Sequence, residues 1–185
     1  MVARGLAERV FELEADAGGT IVDRLIEFDL RGAFRFSRLA GLVQTDIDIR
    51  GKTDRIDVFA DGSLRVIDYK LGKIPDLKSS VQIAVYAHCA SQWLEARDHR
   101  QHPVASAMYI AFGDDRNVEG VLADGADAVQ QVASRASQFA DVIGHIEAGE
   151  FPPRPRKASE CGWCRYAGVC RKEYRLDDDE ATESV

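Results

Sequence analysis

Apolar residues recur along this chain with two periods, and the period distinguishes helices from strands. Repeats of three and four residues place apolar side chains on one side of a helix, whereas alternation gives a strand one buried face. In chain order the pattern predicts a helix, two β segments, a β-hairpin, a helix, two strands and a long helix: Val2–Ala15, Thr20–Phe36, Thr45–Ile49, Gly51–Lys73, Ser79 to about Leu94, Val104–Phe112, Glu119–Leu122 and a helix that ends at Gly149. This order predicts an α/β fold with helices packed on a sheet.

The last helix has the longest apolar stripe. Its members recur at three and four residues: Val129, Val132, Ala133, Ala136, Phe139, Ala140, Ile143 and Ile146. We expect this stripe to pack on the sheet.

The hairpin Gly51–Lys73 contains most of the candidate chemistry, and its register decides which acids meet. The turn lies at Ala60–Ser63, where an Asp-Gly pair tolerates positive φ. A two-residue turn would place Asp57 on the face of Asp68. A loop one residue longer, or a bulge, would instead bring Asp54 opposite Asp68. Both registers remain open from sequence alone.

The second hairpin strand places a carboxylate and an ammonium side by side. Asp68 and Lys70 are two residues apart, so their side chains leave the same face of a strand. Carboxylates bind hard cations, and a lysine can orient an attacking water or neutralise charge on a phosphate. The pair therefore suits metal-assisted phosphodiester hydrolysis, although Asp-x-Lys taken alone is more often a surface ion pair.

The helix after the hairpin carries Gln82 and Tyr86 four residues apart. They share a face, so both can reach the strand ends that bear Asp68 and Lys70. Two structural alternatives remain open. Gln82 could close a capping box with Ser79, and Tyr86 could be ordinary packing.

Length and composition fit one globular domain. The chain has 185 residues, of which 45% are hydrophobic and 30% are charged. It contains no run of about 20 apolar residues that could span a membrane. Its N-terminus also lacks the basic-then-apolar order of a secretory signal, so we expect a cytoplasmic protein.

The net charge of −7 argues against a nucleic-acid partner until its distribution is considered. Residues 176–185 contain five acidic residues, and we expect this tail to be disordered. Residues 151–175 contain seven basic residues against two glutamates: Arg154, Arg156, Lys157, Arg165, Arg171, Lys172 and Arg175. Such a segment suits a DNA-processing enzyme, although it could equally be a solvated coat.

Three of the four cysteines are clustered near the C-terminus. Cys161, Cys164 and Cys170 follow a proline-rich stretch, whereas Cys89 stands alone in an apolar helix. In a cytosolic chain, Cys-x-x-Cys with a third thiol nearby favours metal or cluster ligation over a disulfide. Thiolates at this spacing suit zinc or an iron–sulfur cluster.

Three short motifs together resemble a known family. Gly51-Lys-Thr-Asp-Arg-Ile-Asp57, Ile67-Asp-Tyr-Lys-Leu-Gly-Lys73 and Gln82-x-x-x-Tyr86 are similar to the motifs of PD-(D/E)XK nucleases of the RecB and AddB type, with Ile67 where the signature has proline. The match spans roughly Glu27 to Cys170. It implies a restriction-endonuclease-like core, with a mixed central sheet flanked by helices.

The resemblance also implies a set of site residues. In that family the first acid follows the motif glycine by three residues, which favours Asp54 over Asp57. The implied catalytic set is Asp54, Asp68, Lys70, Gln82 and Tyr86, with Asp54 and Asp68 holding Mg²⁺ or Mn²⁺. An acid before the first strands often joins the site, so Glu27 is a further candidate, with an exposed strand residue as the alternative.

In the AddB-type group, a C-terminal Cys-x-x-Cys-x5-Cys run and one earlier cysteine hold a [4Fe-4S] cluster, and Cys161, Cys164 and Cys170 match that run. The family's earlier cysteine and a metal-site histidine lie upstream of the sheet, and all four histidines here come later. Either the chain is a fragment of a longer subunit, or it has lost both ligands. Cys89 as fourth ligand and zinc in place of the cluster remain alternatives.

The resemblance implies a metal-dependent DNA nuclease of the exonuclease type, acting in recombination and DNA repair beside a helicase subunit. The alternative is a non-catalytic nuclease-like domain that binds DNA or scaffolds a helicase-nuclease complex. We divide the chain into a nuclease-like core at 1–150, a basic Cys-rich segment at 151–175 and an acidic tail at 176–185.

Overall fold

A computed structural model describes residues 8, 11–12, 19–72, 74–75, 80–112, 118–120, 126–150 and 158–170 of the chain. The strands and helices in these ranges are β1 (Ile21–Arg38), β2 (Val43–Phe59), β3 (Leu64–Lys70), α1 (Gln82–Asp98), β4 (Val104–Ala111), β5 (Val118–Gly120) and α2 (Ala126–Glu147). Short 3₁₀ helices lie at Leu39–Gly41 and Ala158–Trp163. The chain divides into two compact units, Met1–Val142 and Ile143–Val185.

The five strands form one mixed sheet in the order β1-β2-β3-β4-β5. β1, β2 and β3 are an antiparallel meander, β4 runs parallel to β3, and β5 is antiparallel to β4. A parallel neighbour requires a crossover connection, and the segment that contains α1 provides it. The predicted mixed sheet with flanking helices is confirmed.

One hydrophobic core joins a face of this sheet to both helices. Its fully or nearly buried members include Ile56, Val58, Leu64, Val66, Ile83, Ala87, Leu94, Val132 and Ala136. In α2 the buried positions recur every four residues: Ala128, Val132, Ala136 and Ala140. The predicted stripe was too wide, because Val129, Ala133 and Ile146 are exposed. Phe139, another member of the predicted stripe, is partly buried against the core.

Two predicted boundaries were wrong. Thr45–Ile49 and the first hairpin strand are one strand, β2, because β1 pairs with it through Gly51 and beyond. Leu30 of β1 pairs with Gly51, so the glycine does not interrupt β2. α1 begins at Gln82, not at Ser79, and continues to Asp98.

Several predicted features lie outside the described residues. These are most of the helix Val2–Ala15, the turn after Phe112, the basic residues of 151–157 and 171–175, and the acidic tail 176–185. Of the seven basic residues, the structure describes Arg165, which is exposed. No helix within the described ranges is long and apolar enough to cross a membrane.

Candidate active site

The loop between β2 and β3 sets the hairpin register. It has three residues, 60–62, because Phe59 and Ser63 already pair across it. Phe59 N–H donates to Ser63 O at 2.9 Å, and Gly62 N–H donates to Phe59 O at 2.9 Å. Gly62 has a φ of 88°, which glycine adopts without a Cβ penalty. The loop is one residue longer than a two-residue turn, and it pairs Val58 with Leu64 and Arg55 with Ile67. The next position in this register places Asp54 opposite Asp68.

A paired irregularity in β1 and β2 moves Asp54 out of the ladder. Pairing runs on both sides of Glu27 and Asp54 but skips these two residues, and Glu27 has a φ of 51°. On β2, Thr53 and Ile56 are both buried, so Asp54 lies where the alternation of faces is interrupted. Its Oδ2 accepts a hydrogen bond from Tyr69 N–H at 2.6 Å. The carboxylate of Asp54 is thereby anchored on β3, beside Asp68.

Asp68 and Lys70 form a close ion pair at the end of β3. Lys70 Nζ lies 2.5 Å from Asp68 Oδ1, and the Asp68 side chain is nearly buried. Burial raises the pKa of Asp68, and the neighbouring charge of Asp54 adds to this, although the Lys70 ammonium opposes both. At Lys70 burial disfavours the ammonium, but its hydrogen bond and charge interaction with Asp68 outweigh burial and raise the pKa of Lys70. Lys70 is therefore a cation and hydrogen-bond donor at neutral pH.

The first turn of α1 lies on β2. A Cβ added at Gly51 would stand 2.7 Å from Cε1 of Tyr86, so the Tyr86 ring occupies the space that a side chain at Gly51 would need. Gln82 Nε2 donates to Tyr86 Oη at 3.3 Å. The N-cap of α1 is Val81, with no side-chain cap hydrogen bond, and Ser79 lies outside the described residues. Gln82 is thus the first residue of the helix, and its amide bonds to Tyr86.

Glu27 lies at the edge of this arrangement. Its side chain is 61% exposed and its Oε2 is 2.5 Å from Lys52 Nζ. The charge and hydrogen bond of Glu27 raise the pKa of Lys52. By register Glu27 faces Asp54, but its ion pair is directed to Lys52 rather than to Lys70.

Asp57 lies on the opposite face of the sheet. Arg55 donates to both of its oxygens at 2.8 and 2.9 Å, Arg65 donates to Oδ2 at 2.7 Å, and Arg24 donates to Oδ1 at 2.8 Å. Burial of Asp57 would raise its pKa, but these hydrogen bonds outweigh burial and lower the pKa. Asp57 is therefore held in an arginine cluster and is not available to share an ion with Asp68.

The donor set fits a hard divalent cation. Among the residues that the structure describes, no three His, Cys, Asp or Glu side chains gather around one point. Mg²⁺ keeps several waters and is often held by one or two carboxylates, so Asp54 and Asp68 suffice as protein ligands. The charge of Asp54 raises the pKa of Asp68, because two nearby carboxylates repel each other. A bound cation would relieve this repulsion.

The clustered cysteines lie in the second unit, within its described range 158–170. Cys161, Cys164 and Cys170 are free thiols, and Cys164 N–H donates to Cys161 O at 3.3 Å across one helical turn. Cys89 is fully buried in the core of the first unit, and burial raises its pKa to about 12. A protonated core thiol of this kind is a packing residue.

Sequence reasoning missed Tyr109, which lies beside the ion pair. Tyr109 is fully buried in β4 and pairs in register with Asp68. In the sequence it is one residue of an apolar strand, 41 positions from Asp68, so no local spacing connects the two.

Comparison with known proteins identifies the family. A family model described as "PD-(D/E)XK nuclease superfamily" matches residues 2–171. A solved structure titled "Crystal structure of SSO0001" aligns at 16% sequence identity with a TM-score of 0.44, over 90% of this chain and 69% of that chain. No curated protein matches the sequence. The family match agrees with the restriction-endonuclease-like α/β fold, and because it covers most of the chain, this protein belongs to the PD-(D/E)XK nuclease superfamily.

Proposed function

We propose that this chain is a divalent-metal-dependent DNA exonuclease domain that acts in recombination and DNA repair. The observation that supports it best is the convergence of Asp54, Asp68 and Lys70 on one side of the β2–β3 hairpin. Asp57, the competing acid, is held by arginines on the other side. An acid pair that can hold a cation, with an adjacent amine as donor, suits metal-assisted phosphodiester hydrolysis.

Each residue has a distinct role in this proposal. Asp54 and Asp68 would hold Mg²⁺ or Mn²⁺, which supplies an activated water and neutralises charge on the scissile phosphate. Lys70, as a protonated ammonium beside Asp68, donates to the attacking water or to a phosphate oxygen. Gln82 and Tyr86 present an amide and a hydroxyl from the first two turns of α1, and Glu27 is the acid at the rim of the site.

Divalent metal is expected to be required for the cleavage of linear DNA. We expect purified protein to degrade linear DNA with Mg²⁺ or Mn²⁺ and to be inactive after EDTA treatment. Because the pKa of Asp68 is raised, protons compete with the metal at a higher pH than at an ordinary aspartate. The Kd for Mn²⁺, measured by calorimetry, should therefore rise as pH falls, and should rise less steeply in an Asp68→Asn variant.

Binding of DNA without cleavage under either metal would contradict the nuclease proposal. That result would instead favour the non-catalytic domain that binds DNA or scaffolds a helicase-nuclease complex. For the Asp68→Asn variant, Asp46→Asn is the matched control. The Asp46 carboxylate is exposed on β2, contacts Arg35 at 3.6 Å and lies outside the proposed ion site.

The three clustered thiols are the basis of a second part of the proposal. Cys161, Cys164 and Cys170 would hold a [4Fe-4S] cluster with a fourth ligand from elsewhere, and zinc is the alternative metal. The fit rests on the chemistry of three free thiols within ten residues, since soft thiolates select such metals.

Protein purified without oxygen is expected to be brown, with broad visible absorbance that is lost in a Cys161→Ser variant. Cys89→Ser is the matched control, because this thiol is buried in the core and should not affect the absorbance. Colourless protein, with stoichiometric zinc or with no metal, would count against the cluster.

The partners proposed are DNA and a helicase subunit. The basic residues of 151–175 would contact phosphates, and their contribution should weaken with salt. Exposed Arg165 is the member of that group with a described position. A cytoplasmic location is proposed with this function.

A further inference from the structure

Tyr109 lies directly beside the Asp68–Lys70 pair. β3 and β4 are parallel, and their register pairs Asp68 with Tyr109, so the two side chains share a face of the sheet. The Tyr109 ring is fully buried, and Lys70 Nζ stands 5.3 Å from its centroid. A protonated amine at this distance from an aromatic face is attracted to the electron-rich ring. Lys70 thus contacts both the carboxylate of Asp68 and the ring of Tyr109.

The hydroxyl of the same side chain contacts the segment that leads into α1. Tyr109 Oη and Ser80 Oγ are 2.7 Å apart, and Ser80 precedes the helix by two residues. Arg135 Nη1 of α2 donates to Ser80 O at 2.9 Å. Since the N-cap residue Val81 makes no side-chain cap bond, these contacts help to hold the start of α1 in place.

We propose that Tyr109 is a positioning residue that sets the distance between Lys70 and the start of α1. Its ring holds the ammonium of Lys70, and its hydroxyl holds Ser80, which precedes the helix bearing Gln82 and Tyr86. This inference rests on the proposed nuclease function, in which those side chains act together. Tyr109, which lies outside the three motifs, then decides whether Lys70 and the side chains of α1 are held in one geometry.

The physical reason lies in the flexibility of lysine. Its four-carbon stem has many rotamers, and the Lys70 side chain is 26% exposed, so it has access to solvent. One contact with Asp68 fixes the distance of the ammonium but not its direction. The ring of Tyr109 supplies the second contact, which favours a single orientation.

Two variants separate the ring from the hydroxyl. Tyr109→Phe keeps the ring and removes the bond to Ser80, while Ser80→Ala removes the other partner of that bond. We expect each to lower kcat about fivefold to tenfold, as the loss of one hydrogen bond predicts, without changing KM for DNA. The double variant should lose no more than either single variant, because both remove the same bond. Tyr166→Phe, at an exposed tyrosine of the second unit, is the matched control.

A third variant, Tyr109→Leu, removes the ring. The ε-methylene protons of Lys70, observed by NMR at a single neutral pH, should lose their ring-current shift in this variant, because the aromatic face 5.3 Å from the ammonium is gone. The same signals in Tyr109→Phe should match those of the wild type. This measurement needs no cleavage, so it also decides the inference if the wild type proves inactive and the proposed function fails.

Additive losses in the double variant, or Lys70 ε-methylene signals that are the same in Tyr109→Leu and wild type, would overturn the inference. Tyr109 would then be an ordinary core residue. If Tyr109→Leu fails to fold, the comparison of Tyr109→Phe, Ser80→Ala and their double variant still decides, since these changes nearly conserve volume.

Discussion

Replacing Lys70 by alanine is expected to reduce the metal-dependent cleavage of linear DNA by roughly 10²- to 10³-fold, the usual cost of removing a positioned donor from an active site. Lys70 is held 2.5 Å from Asp68, and its raised pKa keeps it charged at neutral pH. Among the described residues, Lys70 is the amine that contacts the acid pair, and its replacement removes that donor. Single-turnover cleavage rates at saturating Mn²⁺ measure the effect.

Two controls separate this role from a general loss of charge. Lys70→Met keeps an apolar stem in place of the lysine and should be as inactive as Lys70→Ala. Lys52→Met removes an exposed ammonium from β2, whose ion pair with Glu27 is of the surface type, and should reduce cleavage little. Circular dichroism should show all three variants folded. A Lys70→Ala protein that cleaves within tenfold of wild type would exclude a catalytic role for this lysine.

Asp54→Asn is expected to lose activity and Asp57→Asn to lose stability, although the two residues are only three positions apart. Asp54→Asn should lose cleavage and bind Mn²⁺ more weakly while remaining folded, because in the proposed function its carboxylate beside β3 would hold the ion. Asp57→Asn leaves the guanidinium groups of Arg24, Arg55 and Arg65 without the carboxylate that they share. Breaking a buried ion pair from one side typically costs about 3–5 kcal/mol, so the free energy of unfolding should fall by that order.

Urea unfolding and cleavage per folded molecule measure the two effects separately. The folded-state pKa of Asp57 is lowered, so its contribution to stability is present above its unfolded pKa and is lost as pH falls through the lower, folded value. Asp57→Asn should therefore also lose that part of the acid sensitivity of unfolding. If Asp57→Asn abolished cleavage at full stability, while Asp54→Asn were active, the assignment of the two acids would be reversed.

The local patterns predicted elements and faces well. Strand-like apolar patterns predicted the meander and β4. A spacing of two placed Asp68 and Lys70 on one face, because successive side chains of a strand point to opposite sides. The spacing of four between Gln82 and Tyr86 predicted a shared helix face, and their contact at 3.3 Å agrees with it. The width of the α2 stripe was wrong, because burial depends on the surface that the helix meets.

The sequence by itself determined the class of fold and the motif residues, since backbone periodicity is a local property of a few consecutive positions. Only the tertiary structure decided which acid stands beside Asp68. A loop one residue longer than the shortest turn, together with the irregularity at Glu27, brings Asp54 to Asp68 and turns Asp57 toward the arginines. Likewise, only the parallel pairing of β3 with β4 brought Tyr109 to Lys70. Register and parallel pairing depend on contacts between distant segments, and such contacts form only when the whole sheet is assembled.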